Sequence, residues 1–224
     1  MNFDGATPAW PGRGGVYVLL TESICAGPIL EVAEACLRGG ATALQLREKR
    51  LTDDEVTARA GELRSLVRSF GATLVVNDRL AVTRASDADG VHLGTGDLDL
   101  ETARRELGTE KLLGASCHCE ADAARAIAAG ADYIGVGPMF ATVTKTIERA
   151  LGPGLLDRLG TVPGARVVPR FAIGGIDASN VRAVVARGVS GIAVCRSVVA
   201  DADPEARVRD LAAVLDEGPG WGEP

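Results

Sequence analysis

Three side chains in the stretch 41–49 are suited to gripping an anion. Gln45, Arg47 and Lys49 alternate with Leu44 and Leu46. In a strand, residues two apart share a face. One face of this segment is therefore apolar, and the other carries an amide and two cations. Burying such a face costs roughly several kcal/mol unless partners satisfy it. The cheapest partner for two adjacent cations is an anion, and phosphate oxygens match the arginine fork. An edge strand with one wet face is the alternative reading of the same pattern.

Further groups along the chain fit the same chemistry. Asp78 follows Asn77, and Asp97 ends the turn Gly94-Thr95-Gly96-Asp97. Two carboxylates across a small gap suit Mg²⁺, a hard ion that keeps water and substrate phosphate oxygens in its shell. Each has an ordinary reading as well: Asp78 as a partner of Arg79 or a helix cap, Asp97 as a turn residue. Thr142, Thr144 and Lys145 place two hydroxyls and an ammonium on one loop. Gly174 and Gly175 allow backbone N–H groups to approach an oxyanion closely. Ser116 precedes His118 by two residues. His118 is either a proton carrier or a solvated loop residue, and His92 reads as a lining or structural residue. Cys117-His118-Cys119 has no second cluster to complete the four ligands of zinc.

Eight short apolar runs must position these groups: 16–21, 42–47, 73–77, 90–93, 111–115, 133–137, 167–174 and 190–195. Helical patterns alternate with them at 28–38, 52–69, 79–86, 99–107, 119–129, 152–160, 177–187 and 203–215. Thr52 and Glu55 have capping-box spacing, with Leu51 and Val56 set for a hydrophobic staple. Pro28 suits a first helical turn, and Gly188 follows the pattern that Asp177 opens, as a stop signal. Alternating strands and helices imply parallel pairing through right-handed crossovers. Eight units of this length predict a single-domain α/β fold, a (β/α)₈ TIM barrel, over 15–216. A doubly wound sheet would carry a Gly-x-Gly-x-x-Gly turn after the first strand, where this chain has Thr21-Glu22-Ser23. The Gly/Pro-rich ends, 1–14 and 217–224, are expected to fray. In such a barrel the site lies at the C-terminal strand ends, and the polar residues named above gather there.

Composition narrows the partners. The net charge of −6 argues against a nucleic-acid or membrane surface. Five cysteines, an odd number, point to reduced thiols and a cytoplasmic setting. No run of about 18 apolar residues exists to span a membrane. Small-molecule substrates are the expected partners, and a homo-oligomer is compatible with the sequence.

The chain resembles the thiamine-phosphate synthase (thiamine-phosphate pyrophosphorylase) family. The matching strings, in order, are Gln45-Leu46-Arg47-Glu48-Lys49, Asn77-Asp78-Arg79, Asp89 through Gly94 with Asp97-Leu98, and Gly114-Ala115-Ser116. They continue with Ala131 through Pro138, Thr142-x-Thr144-Lys145 and Ala172 through Ile176. The resemblance implies a Mg²⁺-dependent barrel enzyme, a transferase. It would join hydroxymethylpyrimidine diphosphate to a thiazole phosphate and release pyrophosphate. It implies that Gln45, Arg47, Lys49, Asn77, Ser116 and Lys145 bind the pyrimidine diphosphate, with Arg47, Lys49, Lys145 and Ser116 nearest the chemistry. Asp78 and Asp97 would hold Mg²⁺. Thr142, Thr144, Gly175, Cys195 and Arg196 would bind the thiazole phosphate, and the loop 139–150 would act as a lid.

Three positions depart from the family pattern. Thr95 replaces a glutamine, Arg196 replaces a serine, and residues 146–150 replace a Pro/Gly-rich stretch. Two other readings stay open. A thiazole tautomerase relative shares a Ser-x-His motif like Ser116–His118, and a non-catalytic sensor of phosphorylated thiamine precursors would need the anion sites alone.

Overall fold

The strands alternate with a period of two, and each therefore has an inner and an outer face. In β1 (Gly15–Leu20), Tyr17 and Leu19 share one buried cluster while Val16, Val18 and Leu20 belong to another. The same split divides β2 (Ala41–Leu46) into Ala43 and Gln45 on one side, Leu44 and Leu46 on the other. The structure is a computed structural model that describes residues 14–142 and 150–219. The expected fraying of 1–14 and 217–224 therefore falls largely outside the described residues.

The remaining strands are β3 (Thr73–Asn77), β4 (Gly90–Leu93), β5 (Leu112–Cys117), β6 (Tyr133–Val136), β7 (Arg170–Ile173) and β8 (Gly191–Val194). Every neighbouring pair is parallel, and β8 pairs with β1, so the sheet closes into a (β/α)₈ barrel. The helices α1 (Ile29–Arg38), α2 (Asp53–Ser69), α3 (Leu80–Ala85), α4 (Leu100–Leu107), α5 (Glu120–Ala128), α6 (Gly154–Leu159), α7 (Arg182–Val185), α8 (Arg196–Val199) and α9 (Pro204–Asp216) follow in turn. Their apolar faces cover the outward strand residues in the larger cluster. No helix among the described residues is long and apolar enough to cross a membrane.

Local signals act where the sequence places them. The Thr52 side chain accepts the Glu55 N–H at 3.3 Å, and Glu55 returns the bond to the Thr52 N–H at 2.7 Å. Leu51 packs against the cluster that contains Val56. Gly188 adopts φ 64° and donates to Val185 at the end of α7.

Four expectations need correction. β2 stops at Leu46, so Arg47 follows the strand and Lys49 lies exposed in the loop beyond. Only Gln45 of the three stays on the buried strand face, because two charges leave the sheet sooner than they desolvate. β7 starts at Arg170 and not at 167; Val167 is 76% exposed, and the ladders to β6 and β8 begin at Arg170 and Phe171. The 177–187 pattern yields only Arg182–Val185 as helix. Asp177 spends its carboxylate on the Ser179 N–H at 2.9 Å and its hydroxyl at 2.6 Å, which closes a turn first. Finally, α8 is a short helix that the apolar pattern missed, since four residues carry too little periodicity.

Three aromatic rings pack together in the barrel interior. Tyr17, Tyr133 and Phe171 meet edge to face with centroids 5.7–6.0 Å apart. Gly114 leaves room for Tyr133: a Cβ there would collide with the ring at Cζ. Gly114→Ala is expected to lower stability by roughly 1–3 kcal/mol, the usual cost of overpacking, read as a lower urea midpoint at unchanged slope. An unchanged midpoint would show that the ring moves aside freely.

Candidate active site

The chemistry-bearing side chains converge at the C-terminal ends of the strands, around two adjoining chambers. The smaller, about 240 Å³, is lined by Gln45, Arg47, Lys49, Asn77, Asp78, Asp97 and Ser116, above Tyr17, His92 and Tyr133. The larger, about 530 Å³, is lined by Thr142, Gly174, Gly175, Ile176, Cys195 and Arg196 together with apolar strand ends. Leu19, Arg47, Ser116 and His118 border both. Every candidate residue within the described stretches lies on one chamber or the other. Thr144 and Lys145, and most of the expected lid, lie outside the described residues.

Gln45 reaches the smaller chamber because it alternates inward from Leu44 and Leu46, and it is 2% exposed. Arg47 is held by its backbone. Its N–H donates to the Leu20 carbonyl at 2.9 Å, and its carbonyl accepts the Thr21 hydroxyl at 2.8 Å. Asn77 is the last residue of β3, and the chain then turns sharply at Asp78, whose φ is 64°. The Asp78 N–H donates to the His92 carbonyl at 2.9 Å, which carries the β3–β4 pairing into the turn.

The ordinary reading of Asp78 does not hold. Arg79 pairs with Asp53 at 2.8 Å and donates to the Glu48 and Leu51 carbonyls, and α3 has no side-chain cap. Asp78 instead faces Lys49, 3.3 Å away, and Asp97. Asp97 does act as a turn residue, its Oδ2 accepting the Gly94 N–H at 2.6 Å, and it faces Asp78 as well. Burial raises the Asp78 carboxyl above the ordinary carboxylate range; the Asp97 carboxylate pushes it further, and Lys49 pulls it back. Two hard oxygen donors crowded against each other in a cleft, with mutual repulsion to relieve, form a donor set that fits a divalent cation.

The larger chamber is built differently. Gly174 and Gly175 have φ of 100° and 64°. A Cβ on Gly174 would lie 2.7 Å from Pro138, and one on Gly175 2.9 Å from the Phe140 side chain. The glycine pair thus permits the close packing of 138–141 over β7 as well as access to the backbone. Cys195 is partly buried, which raises its thiol, while the Arg47 and Arg196 guanidiniums lower it; both cations therefore bear on this end of β8. Cys117 is buried and Cys119 exposed, so the Cys-His-Cys run points its thiols apart.

The chamber floor holds His92, a lining residue as the sequence suggests, and two tyrosines that the sequence does not single out. Tyr17, Tyr133 and His92 all line it, and His118 borders both chambers with its Nδ1 2.6 Å from the Gly137 carbonyl. A carbonyl only accepts, so Nδ1 carries the proton and Nε2 is the acceptor of the neutral ring. The signal for Tyr17 and Tyr133 was present in their inward register, two residues from Leu19 and Gly135 respectively. An aromatic at such a position usually signals core alone.

The comparisons with known proteins agree with one another. The family model for thiamine monophosphate synthase (TMP-TENI) matches residues 16–198. The thiamine-phosphate synthase of Thermosynechococcus vestitus is 43% identical over 190 residues, which is 85% of this chain but 53% of that protein. The chain thus spans about half the length of that relative. The thiamine-phosphate synthase of Moorella thermoacetica is 41% identical over 214 residues, 95% of this chain and 99% of its own. Among solved structures, the thiamine phosphate pyrophosphorylase of Pyrococcus furiosus superimposes with a TM-score of 0.82 at 34% identity, covering 92% of this chain and 96% of that one. The family match over most of the chain and the near full-length relatives establish that this chain belongs to the thiamine monophosphate synthase family.

Proposed function

We propose that the protein is a thiamine-phosphate synthase. It condenses 4-amino-2-methyl-5-hydroxymethylpyrimidine diphosphate with hydroxyethylthiazole phosphate to give thiamine phosphate and pyrophosphate. The observation that carries this reading is the pair of chambers meeting at Arg47 and Ser116. One is small, polar and ringed by charges of both signs. The other is larger, mostly apolar and closed by a glycine turn and an arginine. A diphosphate-bearing substrate fits the first and a phosphate-bearing heterocycle the second.

The reaction breaks the C–O bond between the pyrimidine methylene and the diphosphate, and the electron pair leaves with the diphosphate. The thiazole nitrogen lone pair then forms the C–N bond. Negative charge grows on the leaving group, and Arg47 and Lys49 face it from the rim. Asp78 and Asp97 would hold Mg²⁺, which supplies further neutralisation of the diphosphate. The aminopyrimidine ring stabilises the cation left behind, so the substitution is dissociative, and no protein nucleophile is required. Gln45, Asn77 and Ser116 orient the pyrimidine. Thr142, Thr144, Gly175, Cys195 and Arg196 seat the thiazole phosphate, and Lys145 joins Arg47 and Lys49 on the pyrimidine diphosphate; Thr144 and Lys145 lie outside the described residues. Adjoining chambers hold the two reacting atoms together and keep out the water that would trap the cation.

The test is incubation of the protein with both precursors and Mg²⁺. Thiamine phosphate and pyrophosphate should appear in equal amounts. EDTA should abolish turnover, and added Mg²⁺ should restore it. Full activity in EDTA would remove the carboxylate site from the mechanism; no product with Mg²⁺ present would remove the function.

A further inference from the structure

A line of hydrogen bonds crosses the barrel under the smaller chamber. The Gln45 amide nitrogen lies 2.6 Å from the Tyr17 hydroxyl, which lies 3.1 Å from the Tyr133 hydroxyl. Tyr133 lies 3.2 Å from His92 Nδ1, and His92 Nε2 lies 3.0 Å from Ser116 Oγ. The five residues come from β2, β1, β6, β4 and β5, and two of the links, Tyr17–Tyr133 and Tyr133–His92, join strands that are not paired with each other. The tyrosines are fully buried, and burial raises both phenols above their ordinary range, so each stays a neutral O–H that donates once.

We propose that Tyr17, Tyr133 and His92 form a one-way hydrogen-bond relay that fixes the proton of Ser116 and the amide of Gln45, making all three positioning residues of the smaller chamber. The direction follows from the donors. The Gln45 amide donates to the Tyr17 oxygen, which directs the Tyr17 hydrogen to Tyr133. Tyr133 in turn donates to His92 Nδ1, so His92 carries its proton on Nε2 and donates to Ser116 Oγ. The serine hydrogen is then turned toward the chamber, and Gln45 keeps its Oε1 as an acceptor there. One wall thus offers a donor and another an acceptor, the complement of an aminopyrimidine edge with its amino N–H and ring nitrogens. Packing enforces the geometry: Gly114 gives Tyr133 its space, and a Cβ on Gly135 would press on His92 at 3.2 Å.

The proposal rests on the smaller chamber being the pyrimidine side, and two measurements separate it from that reading. The first needs no substrate. The chain has two histidines, so ring-¹⁵N spectra at about pH 8.5, above the ordinary histidine range, are assigned with one His118→Gln variant. His92 should be protonated on Nε2 and His118 on Nδ1, and Tyr133→Phe should relax the His92 preference. A His92 ring protonated on Nδ1 in the wild-type protein would overturn the direction.

The second measurement is kinetic. Tyr17→Phe and Tyr133→Phe keep the rings and remove one link each. Each should lower kcat/KM for the pyrimidine diphosphate about tenfold, the scale of a lost neutral hydrogen bond, with KM for the thiazole phosphate unchanged. The double variant should be no worse than the more affected single one, because a relay cut once is already cut. Multiplying losses, or wild-type kcat/KM in both folded single variants, would overturn the relay. If one variant fails to fold, the other reads the same line from its other link. A wild-type protein without turnover would refute the synthase reading and leave the ¹⁵N result to decide the relay.

Discussion

Asp78→Asn should lower turnover by about two orders of magnitude or more, the scale of losing one transition-state contact, and should raise the thermal midpoint of the metal-free protein. The two effects share a cause. Asp78 is partly buried beside Asp97, and its carboxyl is raised by that burial and by its neighbour's charge. A group whose folded pKa is raised contributes stability when protonated and loses it as pH rises through the folded value. Near neutrality the ionised carboxylate therefore works against the fold. Asparagine removes the repulsion and tolerates the φ of 64°. The substitution also breaks the 3.3 Å contact with the exposed Lys49, a pair of the kind worth about 0–1 kcal/mol. The gain is therefore small and is read as a modest rise in the midpoint. It should be largest near neutral pH in EDTA and fade below the ordinary carboxylate range, where the wild-type group is protonated as well. A lower midpoint at neutral pH would mean that the Lys49 contact outweighs the repulsion. Wild-type turnover would take Asp78 out of the metal site.

Arg47→Ala should lower kcat/KM by about two orders of magnitude or more and raise KM for both substrates. Arg47 borders both chambers, whereas Lys49 lines only the smaller one. Lys49→Ala should therefore raise KM for the pyrimidine diphosphate alone. Arg47→Lys should recover a minor part of the loss, because an ammonium cannot reproduce a planar two-pronged contact with phosphate oxygens. The thermal midpoint should move little, since the fold holds Arg47 through its backbone N–H and carbonyl. An Arg47→Ala protein with normal KM for either substrate would assign the guanidinium to one chamber only.

The sequence by itself determined the barrel and its rim. Eight apolar runs spaced by amphipathic stretches leave parallel pairing with crossovers as the economical solution, and the polar residues stood at the run ends. The Thr52–Glu55 box and the Gly188 stop were legible because local hydrogen bonds and backbone sterics depend on few neighbours. Tertiary structure decided what depends on distant partners. It set where β2 ends, and so left Gln45 buried while Lys49 went to solvent and Asp78. It brought Asp78 and Asp97, 19 positions apart in the chain, close enough for each to feel the other's charge. It also joined Tyr17 to Tyr133 across 116 positions. Period-two patterning assigns a side chain to the inside or the outside of the sheet. Only closure of the barrel decides which inward residues meet, because that is fixed by strand order and stagger around the whole ring.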